Sequence, residues 1–217
     1  MKDQISLIIK QKSNGIACLG LATEVNKLSL KEKIKIIELI SKYCPKDFIR
    51  AITIQSNTIK DYKKLIDVAK LNDASWIILQ PLIKPNINDK DCYNFFLSIL
   101  PQTEGFLTGI QNAKEYIGVG LNSKQVNKLY NNFNNFRAIK GEASSVIIRE
   151  EIKEYPKDLT VFNGRGGQEI LDNLNVGCKG IVPCLDFSDK LINIYKNFQK
   201  NNIPNAEKQY KEILPSI

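Results

Sequence analysis

Lys140 closes a short apolar run, Phe136-Arg137-Ala138-Ile139-Lys140, and a lysine so placed can do chemistry. In a parallel βα barrel, functional groups collect at the C-terminal ends of the strands. An amine held there, out of bulk water, can attack a ketone and form a Schiff base. In a chain this rich in lysine the plain alternative is a solvent-facing cation. Other polar groups fall at comparable strand ends: Gly20-Leu21-Ala22-Thr23-Glu24, Gln55-Ser56-Asn57, Gln80-Pro81, Gln111-Asn112, Lys140-Gly141-Glu142 and Pro183-Cys184. Asn163-Gly164-Arg165-Gly166-Gly167 could cradle a carboxylate or phosphate with backbone N–H groups, or simply make a tight βα turn. It lacks the GxxxxGK[ST] spacing of a nucleotide P-loop. Glu24 and Glu142 could form an acid/base pair, and helix capping is the alternative for Glu24. Trp76 and Tyr116 read as a packing residue and a loop residue.

Composition removes whole classes of mechanism. The chain has no histidine, which excludes Ser-His-Asp and Cys-His catalysis and every His-based metal site. The five cysteines (Cys18, Cys44, Cys92, Cys178, Cys184) are irregularly spaced and contain no CxxC, so neither a disulfide framework nor a zinc site is expected. They read as reduced thiols, with Cys18 and Cys184 inside apolar runs as small hydrophobes. Lys and Arg number 31 against 23 Asp and Glu, a net charge of +8. Apart from Arg50, Arg137, Arg149 and Arg165 every basic residue is a lysine, and the lysines are interleaved with acids. That is a solvated surface rather than a nucleic-acid-binding stripe. No apolar run approaches the roughly 18 residues of a membrane span, and the first residues do not form a secretory signal. The expectation is a cytoplasmic protein with no nucleic-acid or membrane partner. At 217 residues, 43% hydrophobic and 25% charged, residues 1–217 can form a single domain with a sizeable core.

The elements that must position these groups alternate. Apolar, β-branched runs recur at 15–19, 50–55, 75–80, 105–111, 136–140, 159–163 and 180–185. Between them lie stretches of helical periodicity at 29–43, 58–71, 89–100, 122–132, 144–154, 167–173 and 189–199, with others at 3–12 and 204–214. Ser29 followed by Glu32 is a capping-box start, and Asn122 opens another helix. Continuous apolar strands alternating with helices predict a parallel sheet covered by helices. No GxGxxG follows the first strand, and the near-regular repeat favours a (β/α)8 TIM barrel over an open doubly wound sheet. The runs supply seven strands, one short of eight.

The strand ends together resemble the dihydrodipicolinate synthase/N-acetylneuraminate lyase family of class I aldolase-type barrels. Gly20-Leu21-Ala22-Thr23-Glu24 with Lys27-Leu28-Ser29 is similar to the family's GxxGE…LS segment. Phe136-Arg137-Ala138-Ile139-Lys140 resembles its strand ending in the Schiff-base lysine. Phe162-Asn163-Gly164-Arg165-Gly166-Gly167 and Gly177-Cys178-Lys179-Gly180-Ile181-Val182-Pro183 resemble the next two strand ends. The resemblance implies a lyase or aldolase in which Lys140 condenses with pyruvate or a related 2-oxo acid, without metal or cofactor. Ala22 and Thr23 would hold the carboxylate, Gln111 and Gly164 would line the substrate site, and Val182 would form the opposite wall. It also implies a homo-oligomer. Departures accompany it: Leu21-Ala22 replace the usual threonine pair, and Gln111 stands where the family has its proton-shuttling tyrosine. An amide cannot do general acid–base work near neutrality. A divergent 2-keto-3-deoxy sugar-acid dehydratase or aldolase therefore fits better than dihydrodipicolinate synthase itself, and a catalytically impaired relic or small-molecule binding module is the alternative. Set on the family pattern, the barrel would lack its first strand and most of the C-terminal helical extension.

Overall fold

Apolar residues on both faces of each strand require cover on both sides, and the chain supplies it by rolling its sheet. The computed structural model describes residues 1–83 and 85–217. Helix α1 (Lys2–Lys10) leads into β1 (Gly15–Cys18), α2 (Leu30–Tyr43), β2 (Ile49–Ile54), α3 (Ile59–Leu71), β3 (Trp76–Leu79), α4 (Asp89–Ile99) and β4 (Thr108–Asn112). A short α5 (Lys114–Ile117), α6 (Ser123–Asn132), β5 (Phe136–Gly141), α7 (Ser145–Glu154), β6 (Thr160–Asn163), α8 (Ile170–Asn175) and β7 (Gly180–Ile181) follow, then α9 (Ser188–Gln199) and α10 (Ile203–Ile213). All strand pairs are parallel, in the order β1-β2-β3-β4-β5-β6-β7.

Alternation along the strands builds two cores. Ile52, Ile54, Ile77, Leu79, Ile110, Ile139 and Val161 face outward into the main cluster beneath the helices. Ala51, Trp76, Ile78 and Ala138 face inward and pack with Phe162. Trp76 on β3 and Phe162 on β6 have ring centroids 5.6 Å apart. In a flat sheet those strands would be separated by three steps, about 14 Å at ~4.8 Å per step. The sheet is therefore strongly curled, a half-barrel of seven strands, the number the apolar runs supply. Among the described residues β1 and β7 each pair on one side only. The helical layer crosses this seam, where the Ser188 hydroxyl at the start of α9 donates to Gln11 Oε1 after α1 (2.7 Å). A third cluster ties α8, α9 and α10 together through Ile170, Leu174, Leu191, Ile194, Ala206 and Ile213.

Local signals set the element starts. The Ser29/Glu32 capping box opens α2, and Asn122/Gln125 does the same for α6. The differences from expectation have local causes. The run at 105–111 enters the ladder only at Thr108, because Gly105 turns with φ +73° and the Phe106 N–H donates to Thr103 O. The run at 180–185 pairs only over Gly180–Ile181, since Pro183 has no N–H to extend the ladder. The helix expected at 167–173 begins at Ile170, after Gly166 and Gly167 turn with φ of +66° and +95°. Cys18 is buried as expected, but Cys184 is exposed because the chain has left the sheet by then. Tyr116 lies in α5 rather than in a loop and is exposed.

Close approach inside the curl depends on Gly109, where an added Cβ would sit 2.8 Å from the Trp76 ring and 3.3 Å from Ala138 Cβ. Gly109→Ala is expected to cost about 1–3 kcal/mol by overpacking, measured by urea denaturation with Trp76, the sole tryptophan, as the fluorescence probe. Burial pushes the thiols of Cys18, Cys92 and Cys178 from 9.0 up to about 12. Above pH 9 the unfolded chain sheds these protons while the folded chain keeps them, so the thiols contribute stability that is lost as pH rises toward 12. The expected slope is about 1.4 kcal/mol per pH unit for each thiol. Urea midpoints at pH 8 and pH 10 in reducing buffer should show the fall, and Cys→Ala at all three positions should flatten it.

Candidate active site

Because inward and outward side chains alternate, the inner core of Trp76, Ile78 and Ala138 is continued at the C-terminal end of the sheet by polar residues on the same face. Gln80 follows Ile78, Gln111 follows Gly109 by two, Lys140 follows Ala138, and Gly164 follows Phe162. In the ladder Gln111 is the register partner of Lys140, and Lys140 of Phe162. The extended chain runs on past β5, with the Glu142 N–H donating to Asn112 O (3.0 Å), so Glu142 shares the face of Lys140.

Among the described residues Lys33 and Lys140 are the buried lysines, and their surroundings differ. The Lys33 ammonium donates to the backbone O and to Oε1 of Gln55, both at 2.9 Å, closing the end of β2 from outside. Burial holds it below the ordinary lysine range, partly countered by Asp61. Lys140 instead forms an ion pair with Glu142 Oε1, both side chains 7% exposed. Glu142 Oε1 also accepts from Gln111 Nε2 (2.6 Å). Around this triad lie amide atoms with no hydrogen-bond partner among the described residues: Gln111 Oε1, and both Oε1 and Nε2 of the fully buried Gln80. Unpartnered buried amides at strand ends are groups that a polar ligand or water can satisfy. Gly164 is required beside them, because a Cβ there would lie 2.7 Å from Glu142 Oε1 and 2.9 Å from Lys140 Cε.

Of the residues singled out in the sequence, Lys140, Gln111 and Gly164 are brought together. Ala22 and Thr23 lie in a one-turn 3₁₀ segment after β1, both exposed, with the Thr23 hydroxyl donating to Gly20 O (2.7 Å). Val182 is half-buried after β7, its N–H donating to Asn163 O (2.8 Å). Glu24 does not join Glu142; it is exposed and ion-paired with Lys27. The glycine-rich segment behaves as a tight turn: the Gly164 N–H donates to Gly141 O and the Arg165 N–H to Asn163 Oδ1, both at 2.8 Å. The Arg165 guanidinium is held by Glu169, which also accepts from Ser145. No tyrosine hydroxyl bonds to Lys140, Gln111 or Glu142 among the described residues. Sequence reasoning placed Gln80 and Glu142 at strand ends but gave Gln80 no role and did not pair Glu142 with Lys140, although the i, i+2 lysine–glutamate spacing was visible.

The model of the dihydrodipicolinate synthetase family matches residues 1–216. The chain belongs to that family. It is 27% identical over 216 residues to the 4-hydroxy-tetrahydrodipicolinate synthase of Karelsulcia muelleri (strain GWSS), covering 96% of this chain and 71% of the relative. Among solved structures it is similar to a prophage protein of the dihydrodipicolinic acid synthase family from E. coli K12, solved in complex with pyruvate. That match has a TM-score of 0.90 and 17% identity, covering 98% of this chain and 73% of the other. The 2-keto 3-deoxygluconate aldolase of Picrophilus torridus matches with a TM-score of 0.89 and 18% identity, over 99% and 77% of the two chains. At such identities the structural likeness speaks for the fold, and the curled sheet corresponds to the family's TIM barrel. Among the described residues no helix is long and apolar enough to cross a membrane, and no group of three His, Cys, Asp or Glu could hold a metal ion.

The closeness of Gly164 to both charged partners makes it a sensitive position. Gly164→Ala should displace the Lys140–Glu142 pair and cost about 1–3 kcal/mol, read as a lower urea midpoint; an unchanged midpoint would mean the pair has room to move.

Proposed function

We propose that this chain is a lyase or aldolase-type enzyme whose Lys140 forms a Schiff base with pyruvate or a related 2-oxo acid. The carrying observation is the place of Lys140: a buried amine at the C-terminal end of a central strand, inside the curl, ion-paired with Glu142 and packed against Gly164. The family supports the same reading, since the named relatives are synthases and aldolases.

In this reading the neutral amine adds to the ketone carbon of the acid, and loss of water leaves an iminium. The iminium draws electrons from the adjacent carbon, so that a C–C bond can form or break there, or a neighbouring hydroxyl can leave. No metal or organic cofactor is needed, because the imine is itself the electron sink. The turn carrying Ala22 and Thr23 would receive the carboxylate, with Val182 as the facing wall. The free amide atoms of Gln80 and Gln111 would hydrogen-bond hydroxyl or carbonyl groups of the substrate, which favours a polar, hydroxylated acid over a bare aliphatic one. The reading takes residues 1–217 as one catalytic domain working in a homo-oligomer.

Borohydride trapping tests it. The folded protein, incubated with pyruvate and with longer 2-oxo acids and then reduced, should gain the mass of one reduced acid at Lys140. Lys140→Ala, with an unchanged circular dichroism spectrum, should gain none. Equal trapping in both proteins, or none in the folded wild type, would overturn the proposal, and the second result would select a small-molecule binding module instead.

A further inference from the structure

A Schiff-base lysine needs a partner that takes a proton from its ammonium and moves protons to and from the substrate. Gln111 cannot serve, and no tyrosine hydroxyl reaches the pair among the described residues. Glu142 is already on the reacting atom. Its Oε1 contacts Lys140 Nζ and accepts from Gln111 Nε2 (2.6 Å), while its Oε2 makes no hydrogen bond among the described residues. The carboxyl group is buried and aimed by the extended backbone beyond β5. Gly164 leaves the space that both side chains occupy.

We propose that Glu142 is the proton-transfer residue of the Lys140 site, oriented by Gln111; the inference rests on the Schiff-base reading. The Lys140 ammonium first gives one proton to the Glu142 carboxylate. The amine lone pair then forms the Nζ–C2 bond while the carbonyl π pair moves to oxygen, which takes the proton from Glu142. Nitrogen returns a second proton to Glu142, leaving a neutral carbinolamine. The C2–O bond breaks, oxygen departs as water with the proton held on Glu142, and the nitrogen lone pair closes the iminium. The products are an iminium beside a carboxylate and one water, so protons and charge balance. The same carboxylate then removes a proton from C3 to give the enamine, and returns one in the reverse direction.

Two readouts separate this step from imine formation. In D2O the wild type should exchange the methyl hydrogens of pyruvate, followed by NMR, and should give a borohydride adduct on Lys140. Glu142→Gln keeps a carbonyl for Gln111 but cannot take up a proton. It should still yield the Lys140 adduct on long incubation, while methyl exchange falls by about 100-fold or more. Glu142→Asp, which retains the carboxyl at a shorter reach, should restore part of the exchange. Exchange at the wild-type rate in Glu142→Gln, with its adduct intact, would overturn the role of Glu142 and leave the Schiff-base reading standing. Absence of a Lys140 adduct in the folded wild type would overturn both. If Glu142→Gln does not fold, Glu142→Asp decides: adduct retained with slower exchange supports the role, and unchanged exchange refutes it.

Discussion

A charged amine at the end of β5 is taken almost wholly out of water, and such a charge persists inside a protein only with an opposite charge on it. Glu142 supplies that charge, and its own place depends on three further features. The strand must stay extended past Gly141 so that positions 140 and 142 share a face. Gln111 must stand opposite in the neighbouring strand to donate to the carboxylate. Position 164 must carry no side chain. Losing any one disturbs the setting in which the two buried charges meet, so the three serve the same electrostatic requirement.

Beneath this polar layer the inner core works by contrast in size. Trp76 and Phe162 fill the curl because Ala51, Gly109 and Ala138 are small. The outward faces of the same strands carry Ile, Leu and Val against the helices. The small inner residues let the strands roll until β3 side chains meet those of β6, and the large outer ones anchor the helical layer. The site thus sits on a packed floor, and its geometry follows from volumes several residues away.

Much of this was legible in the residues. Seven apolar runs became seven strands, and the capping pairs at Ser29 and Asn122 opened the helices they announce. Strand limits were less legible where one residue overrode a pattern, as Gly105 does before β4 and Pro183 does after β7. Lys140, Gln111 and Gly164 could be grouped because each lies at a strand end. The mispairing of Glu142 with Glu24 came from treating strand ends as equivalent around the rim. Which rim groups meet depends on register and on distance around the curl, and neither is written in local sequence. Gln80 was placed at a strand end but given no role for a related reason: an amide looks inert until burial leaves it without a partner among the described residues.

The strictly sequential order of the strands bears on how the chain reaches its fold. Every ladder contact joins one strand to the next in sequence, and among the described residues the first and last strands do not meet. The sheet can therefore grow one βα repeat at a time, each new strand docking on an edge already in place, as in repeat proteins. Loop closure stays short at every step, which keeps the entropic barrier low for a parallel sheet. The Ser188–Gln11 contact, spanning 177 residues, belongs to the end of that sequence, when α9 returns to the helix with which the chain began.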